Sequence, residues 1–252
     1  MQKQTVFRYL LLTLGVVLLA TGAVSAQSFS HSSLPAGTNG PAVPAPVVGP
    51  ASITQSTNTS TITTGNSVSC NGGSPGFFHT DNSYFRAFTL SAFNPPLDQL
   101  QFMVQSITFG IEQANAAGTG TTQPITVRIH SSTTNPPTNA SLTLLSTETV
   151  NVPDQTVSLI TVPLTTQPVF TVATGILVVE IFTPNGQTAG HSFFIGSNAL
   201  GQSGPSFIRA ASCGVAEITN LASIGFANMH IVMTVNGNSQ APVSLQSFSV
   251  DE

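Results

Sequence analysis

An all-β fold, an antiparallel β-sandwich of jelly-roll type, is predicted by three features of this sequence. From about Thr61, short segments alternate between apolar and polar residues. Clusters rich in Gly, Pro and Asn separate them, and no stretch carries a convincing helical stripe. At least nine such segments in about 177 residues fit a two-layer sheet protein.

The elements can be justified in chain order. Residues 1–26 read as a secretory signal peptide: Lys3 and Arg8 supply a positive start, Leu10 to Ala20 is an apolar run, and Ala23-Val24-Ser25-Ala26 ends it. Val24 and Ala26 suit the −3 and −1 positions of signal peptidase, so the mature chain is expected to begin at Gln27. A membrane span needs about 20 apolar residues, well beyond this run. No cysteine lies near the cleavage point to carry a lipid. The expected location is therefore secreted or cell surface, with no membrane insertion after cleavage.

Residues 27–60 carry Pro35, Pro41, Pro44, Pro46 and Pro50 among Ala, Gly, Ser and Thr, without apolar periodicity, and read as a disordered linker. The sandwich domain is expected over 61–237 and a tail over 238–252. Within the domain, Ile107, Phe109 and Ile111 alternate with Ser106, Thr108 and Glu112. Ile125, Val127 and Ile129 alternate with Thr126, Arg128 and His130, and Met229, Ile231, Met233 and Val235 with His230, Val232 and Thr234. Further strands are predicted at Tyr84–Leu90, Leu142–Val152, Val157–Leu164, Ile176–Thr183, Ser192–Ile195 and Phe207–Ala210. Turn signals lie at Asn94-Pro95-Pro96, Asn135-Pro136-Pro137, Pro184-Asn185-Gly186 and Gly201–Pro205. Asp98–Gln105 comes nearest to a helix, and it is short.

Composition excludes whole classes of partner. Beyond the leader there is no lysine, and only Arg86, Arg128 and Arg209 face nine acids. Nucleic acid needs a basic footprint that displaces counterions, and anionic lipid needs a basic face; neither is present. With 40% apolar residues and positive mean hydropathy, the chain can build a core despite its low charge.

Cys70 and Cys213 are the only cysteines, and in an exported chain they most simply form one disulfide. Closing so long a loop restricts the unfolded chain by about 4–5 kcal/mol in the entropy account. Glu180 shares a strand face with Ile176, Val178 and Phe182, and Arg86 shares one with Tyr84, Phe88 and Leu90. A lone charge on an apolar face is costly unless paired, so a structural tie from Glu180 to Arg86 or Arg128 is expected.

Motifs for chemistry are sparse. The five histidines show no H-x-H or H-E-x-x-H spacing. Gly201-Gln202-Ser203-Gly204 starts like a hydrolase elbow, but Pro205 replaces the second glycine of G-x-S-x-G. There is no P-loop or dinucleotide fingerprint, and a bonded cysteine pair leaves no thiol nucleophile. The chain is read as a non-enzyme without a cofactor; a site built from distant residues, such as His191 with Asp81, is the remaining catalytic alternative. Asp81 and Asn82 in a loop, with Glu112 ending a strand, offer hard oxygen ligands for calcium. Asp-Asn-Ser is equally ordinary turn chemistry.

Sugar platforms lean on Trp and Tyr. There is no Trp, and Tyr84 is the one tyrosine beyond the leader. Flat crystalline glycans are thereby disfavoured, while a cleft using Asn, Gln and Asp remains open. In a eukaryotic chain Asn58-Thr-Ser60 and Asn139-Ala-Ser141 would be glycosylation acceptors.

Five segments together resemble a β-sandwich module of secreted bacterial surface proteins, in which it accompanies protease, adhesin-like or anchor segments. They are 82–88 (NSYFRAF), 107–113 (ITFGIEQ), 191–198 (HSFFIGSN), 204–214 (GPSFIRAASCG) and 222–237 (ASIGFANMHIVMTVNG). The resemblance covers roughly 65–237 and implies no catalytic residue. Residues 241–252 are similar to the start of the extensions that follow such modules, without an LPxTG-like signal. The expected function is a secreted, non-enzymatic binding or structural module of the bacterial envelope or exterior. A soluble-glycan binder, with or without calcium, and an accessory domain of an exported hydrolase system are the alternatives; the partner, protein or glycan, is not named by the sequence.

Overall fold

The computed structural model describes residues 27–32, 51–74, 76–93, 97, 101–117 and 120–240. The expected signal peptide, residues 33–50 of the linker and residues 241–252 of the tail lie outside the described residues.

Sixteen strands run through the described chain. In order they are β1 (Ser28–His31), β2 (Ala51–Thr54), β3 (Val68–Asn71), β4 (Asn82–Thr89), β5 (Gln101–Asn115), β6 (Thr122–Ser132), β7 (Leu142–Pro153) and β8 (Gln155–Pro163). They continue with β9 (Val169–Thr171), β10 (Ile176–Thr183), β11 (Ser192–Ile195), β12 (Ser197–Asn198), β13 (Ser206–Ala210), β14 (Val215–Asn220), β15 (His230–Ile231) and β16 (Met233–Gln240). Among the described residues the helical elements are single 310 turns, and no helix is long and apolar enough to cross a membrane.

All the strand pairs are antiparallel, and two large sheets form a sandwich. One has the order β14-β13-β4-β10-β6-β7. The other is organised on the fifteen-residue β5, which has β16 and β11 along one edge and β8 and β9 along the other; β2 closes the outer side of β16. Ile53, Phe102, Val104, Ile107 and Phe109 from this sheet meet Tyr84, Phe88, Ile125, Val127, Val179 and Ile181 from the first in one buried cluster. Each large side chain buried here contributes about 1.5–3 kcal/mol relative to exposure.

Cys70 on β3 is bonded to Cys213 in the 310 turn after β13, with Cα atoms 5.9 Å apart. The bridge therefore joins the small β1–β3 sheet to the edge of the first large sheet.

Three expectations need correction. The stretch 27–60 is not all linker, because β1 pairs with β3 and β2 pairs with β16. Main-chain hydrogen bonds at a sheet edge need no long apolar pattern, and four residues such as Ala51-Ser-Ile-Thr54 are too few for periodicity to register. The domain also runs past 237, since β16 continues to Gln240. Met229–Val235 is not one strand: it breaks at Val232, whose N–H donates to Gly196 O and whose carbonyl accepts from Gly110 N–H. Gly110 and Gly196 cross so closely there that a Cβ on Gly196 would lie 2.5 Å from the Gly110 carbonyl carbon.

Candidate functional site

The outward face of the first sheet follows from its register. Directly paired residues point to the same side, so one row across the strands reads Phe207, Phe85, Glu180, Arg128, Thr147. The adjacent row reads Arg209, Ser83, Phe182, Thr126, Thr149, and on the other side lie Ala87, Val178, His130 and Leu144. Glu180 thus has Arg128 directly across from it and His130, Ser83 and Arg209 on diagonals. Phe85, Ala87, Val178 and Phe207 form a second, smaller buried cluster beside it.

Every oxygen of Glu180 is engaged. Oε1 accepts from Ser83 Oγ (2.6 Å), Arg128 Nη1 (3.1 Å) and Arg209 Nη2 (3.0 Å), while Oε2 accepts from His130 Nε2 (2.9 Å). Burial alone would raise the carboxyl pKa. The bonds from His130 and Ser83 and the charges of Arg128 and Arg209 outweigh burial and hold it below its ordinary value. The Arg128 guanidinium also lies over the Phe182 ring, 4.1 Å from its centroid, and that of Arg209 lies 5.4 Å from the Phe85 centroid.

The expected tie is therefore found with Arg128 and not with Arg86. Arg86 pairs with Val179, one residue from Glu180, so its side chain enters the interior with Tyr84 and Phe88. There it is fully buried and, among the described residues, donates to carbonyls alone: Nε and Nη2 to Ile231 O (3.1 and 2.5 Å), and Nη1 to Gly204 O (2.7 Å). Burial without a carboxylate pulls the guanidinium pKa down to about 9, which still leaves a cation at neutral pH. Arg209, which the sequence reading did not assign, is the second partner of Glu180. Strand alternation in Ser206–Ala210 puts it on a definite face, but only the register tells which one.

Asp81, Asn82 and Glu112 are not gathered into the calcium site considered from the sequence. Asn82 is turned inward, where Oδ1 accepts from Cys70 N–H (2.9 Å) and Nδ2 donates to Cys70 O and Thr80 O (3.1 Å each). Glu112 is fully buried; it accepts from Gly65 and Ser67 N–H (2.9 Å each) and from Ser32 Oγ. Asp81 meets Ser212 Oγ at 3.5 Å. Asn82 and Glu112 thus accept from main-chain N–H groups of Cys70, Gly65 and Ser67, and Asp81 from a hydroxyl; Asn82 and Ser83 themselves belong to β4. Among the described residues no three His, Cys, Asp or Glu side chains are grouped to hold a metal ion.

His191 lies beside His79, its carbonyl accepting from His79 N–H (3.0 Å). It sits with His79 against Gly186, whose N–H donates to His79 O. His79 bonds Thr80 O and Gln123 Oε1, and its pKa is lowered chiefly by burial.

Two clefts of about 330 Å³ open on the surface. The first lies where the end of β4, the 310 turn Leu90–Phe93, the loop after β6 and residues 203–205 converge. Gln55, Thr89, Asn135 and Ser203 supply its polar wall, and Phe93 and Pro205 part of its apolar wall. Asn135 Nδ2 donates to Thr89 Oγ1 (2.9 Å), which leaves that hydroxyl proton to point elsewhere. Gln55 Nε2 donates to Ala87 O (2.7 Å), while the buried Oε1 has no partner. The second cleft has Asn66, Asn228, Phe226 and His31 in its wall. Among the described residues no carboxylate or guanidinium lines either one.

The loop after β6 connects the first cleft to the charged face. Asn135 touches β4 at one end, and at the other Asn139 donates to Ala216 O on β14 (2.9 Å) and accepts from Arg209 Nη1 (3.3 Å).

No protein-family model matches this chain, and no curated protein matches it. Among solved structures, that of the cysteine protease and lectin-like domains of Cwp84, a surface layer associated protein of Clostridium difficile, is similar with a TM-score of 0.41 at 14% identity. The match covers 71% of this chain and 39% of that one.

Proposed function

We propose that this chain is a secreted, non-enzymatic β-sandwich module that binds a soluble neutral glycan in the cleft between Phe93, Asn135 and Ser203. The observation that carries the reading is the lining of that cleft: amides and hydroxyls beside an aromatic and a proline, with no formal charge among the described residues. Side chains of this kind both donate and accept, as a polyhydroxylated ligand requires. Phe93 and Pro205 offer the apolar surface against which a sugar ring face can lie.

The absence of catalysis is supported by how the buried acids are used. Glu180 and Glu112 both have their oxygens occupied by the chain's own donors, which leaves neither poised as a general acid or base. The disulfide suits an oxidising exterior.

A glycan array probed with the full chain, followed by calorimetry on the hits, tests the reading. Binding to neutral oligosaccharides is expected, with Asn135→Ala and Ser203→Ala each weakening it at least tenfold at unchanged melting temperature. No neutral glycan bound, or binding unaffected by both variants, overturns it in favour of a structural role.

A further inference from the structure

We propose that Arg128 and Arg209 form a second binding site, independent of the cleft, for the carboxylate of an acidic sugar. Beyond the leader the chain has no lysine and three arginines, and Arg86 is fully buried. The guanidinium groups that reach solvent in that part of the chain are therefore these two, with side chains 27% and 30% exposed. Both meet on one oxygen of one buried carboxylate. One arginine would neutralise Glu180, so the second leaves an excess of positive charge on an otherwise acidic chain.

The pair is preorganised. Arg128 is held by Glu180 and the face of Phe182; Arg209 is held by Glu180, Ser83 and Asn139 beside Phe85. Fixed guanidinium forks lose little freedom when an anion arrives. They also keep donors in reserve. Arg128 uses only Nη1 among the described residues, leaving Nε and Nη2, and Arg209 leaves Nε. A carboxylate takes such donors in short, charge-assisted bonds.

The surroundings select the kind of carboxylate. Thr147 lies directly across from Arg128, and Thr126 and Thr149 follow in the next row with their hydroxyls 3.0 Å apart. Thr147 and Thr149 are exposed and Thr126 is half-buried. A row of hydroxyls beside a cationic centre matches a uronate ring, with its carboxylate on the arginines and its hydroxyls on the threonines. An acidic peptide would set mostly non-hydroxylated side chains on those same hydroxyls.

Arginine Nε–H resonances of the ¹⁵N-labelled full chain give the test. There are four arginines in the whole sequence, so four signals arise, assigned by Arg→Lys variants that each remove one. Titration with oligogalacturonate at low salt is expected to shift the Arg128 and Arg209 signals saturably, with those of Arg8 and Arg86 unmoved. A neutral galacto-oligosaccharide should shift neither, and added salt should weaken the uronate effect. Arg128→Gln is expected to weaken uronate binding at least tenfold, and Ser203→Ala, in the cleft but off the loop that holds Arg209, to leave it unchanged. That last variant separates this site from the neutral cleft. No saturable shift, equal shifts with sodium acetate or with an aspartate-rich peptide, or loss of binding in Ser203→Ala would each overturn the proposal. The shifts are read on the unsubstituted protein, so the test stands even if Arg128→Gln folds poorly.

Discussion

Arg86 and Glu180 stand on neighbouring strands one pairing apart, yet they solve the problem of a buried charge in opposite ways. Glu180, on the outer face, is surrounded by two guanidinium groups, an imidazole and a hydroxyl, and the two guanidinium side chains reach water. Arg86, on the inner face, has no ionised partner among the described residues and spreads its charge over the carbonyls of Ile231 and Gly204. The outer network is held in place but open, so that solvent or an incoming anion can reach its spare donors. The inner one is sealed, and its acceptors are main-chain atoms of segments that it holds together. A sheet only one residue thick thus separates a sealed tie from an accessible one.

Removing the inner charge should hurt most. Arg86→Ala leaves a cavity and strands both carbonyls, with an expected loss of about 3–5 kcal/mol in urea unfolding with the disulfide intact. A loss below about 1 kcal/mol would show that water replaces the guanidinium and would erase the contrast.

Glu180→Gln should cost less, about 2–3 kcal/mol, since Arg128 and Arg209 can turn to water once the carboxylate is gone. The same unfolding assay checks it, and a larger cost than that of Arg86→Ala would reverse the ranking. Double-mutant cycles sharpen the point further. Glu180 and Arg128 are expected to couple by about 1 kcal/mol or more. Glu180 and Arg86 share no partner and should couple by less than about 0.5 kcal/mol.

The smallest effect is on pH. The Glu180 pKa is depressed in the folded state, so its contribution is complete above about 4.5 and is lost as pH falls through the lower folded value. His79 acts earlier. Burial lowers its pKa below 6.5, so the folded chain binds fewer protons than the unfolded one, and stability declines as pH falls from about 6.5 toward the folded value. Melting temperature against pH should show both declines. His79→Gln should flatten the first, and Glu180→Gln the second.

Much of this was readable in the chain. Alternation and turn signals located nine segments, eight of them single strands and the ninth spanning β15 and the start of β16, and the Ile176–Thr183 and Ser192–Ile195 boundaries coincide with the observed ones. Alternation also placed Glu180 with Val178 and Phe182, and Arg86 with Tyr84 and Phe88. It did not reveal that these two faces are opposite sides of the sheet, because alternation orders residues within one strand only. Strands β1, β2, β3, β9, β12 and β14 escaped for a different reason. They are short, and their pairing is made by main-chain groups that leave little mark on side-chain identity. The cleft had no signal to find, since Gln55, Phe93, Asn135 and Ser203 come from four separate stretches.

By itself the sequence determined the β class, the disulfide and the charge inventory, because each depends on residue type or local period. The fates of those charges were decided by tertiary structure. Register chose Arg128 and Arg209 for Glu180 and sent Arg86 inward, and a shift of one residue would have exchanged the two faces. That choice rests on pairing energies summed across the whole sheet, which no single strand encodes.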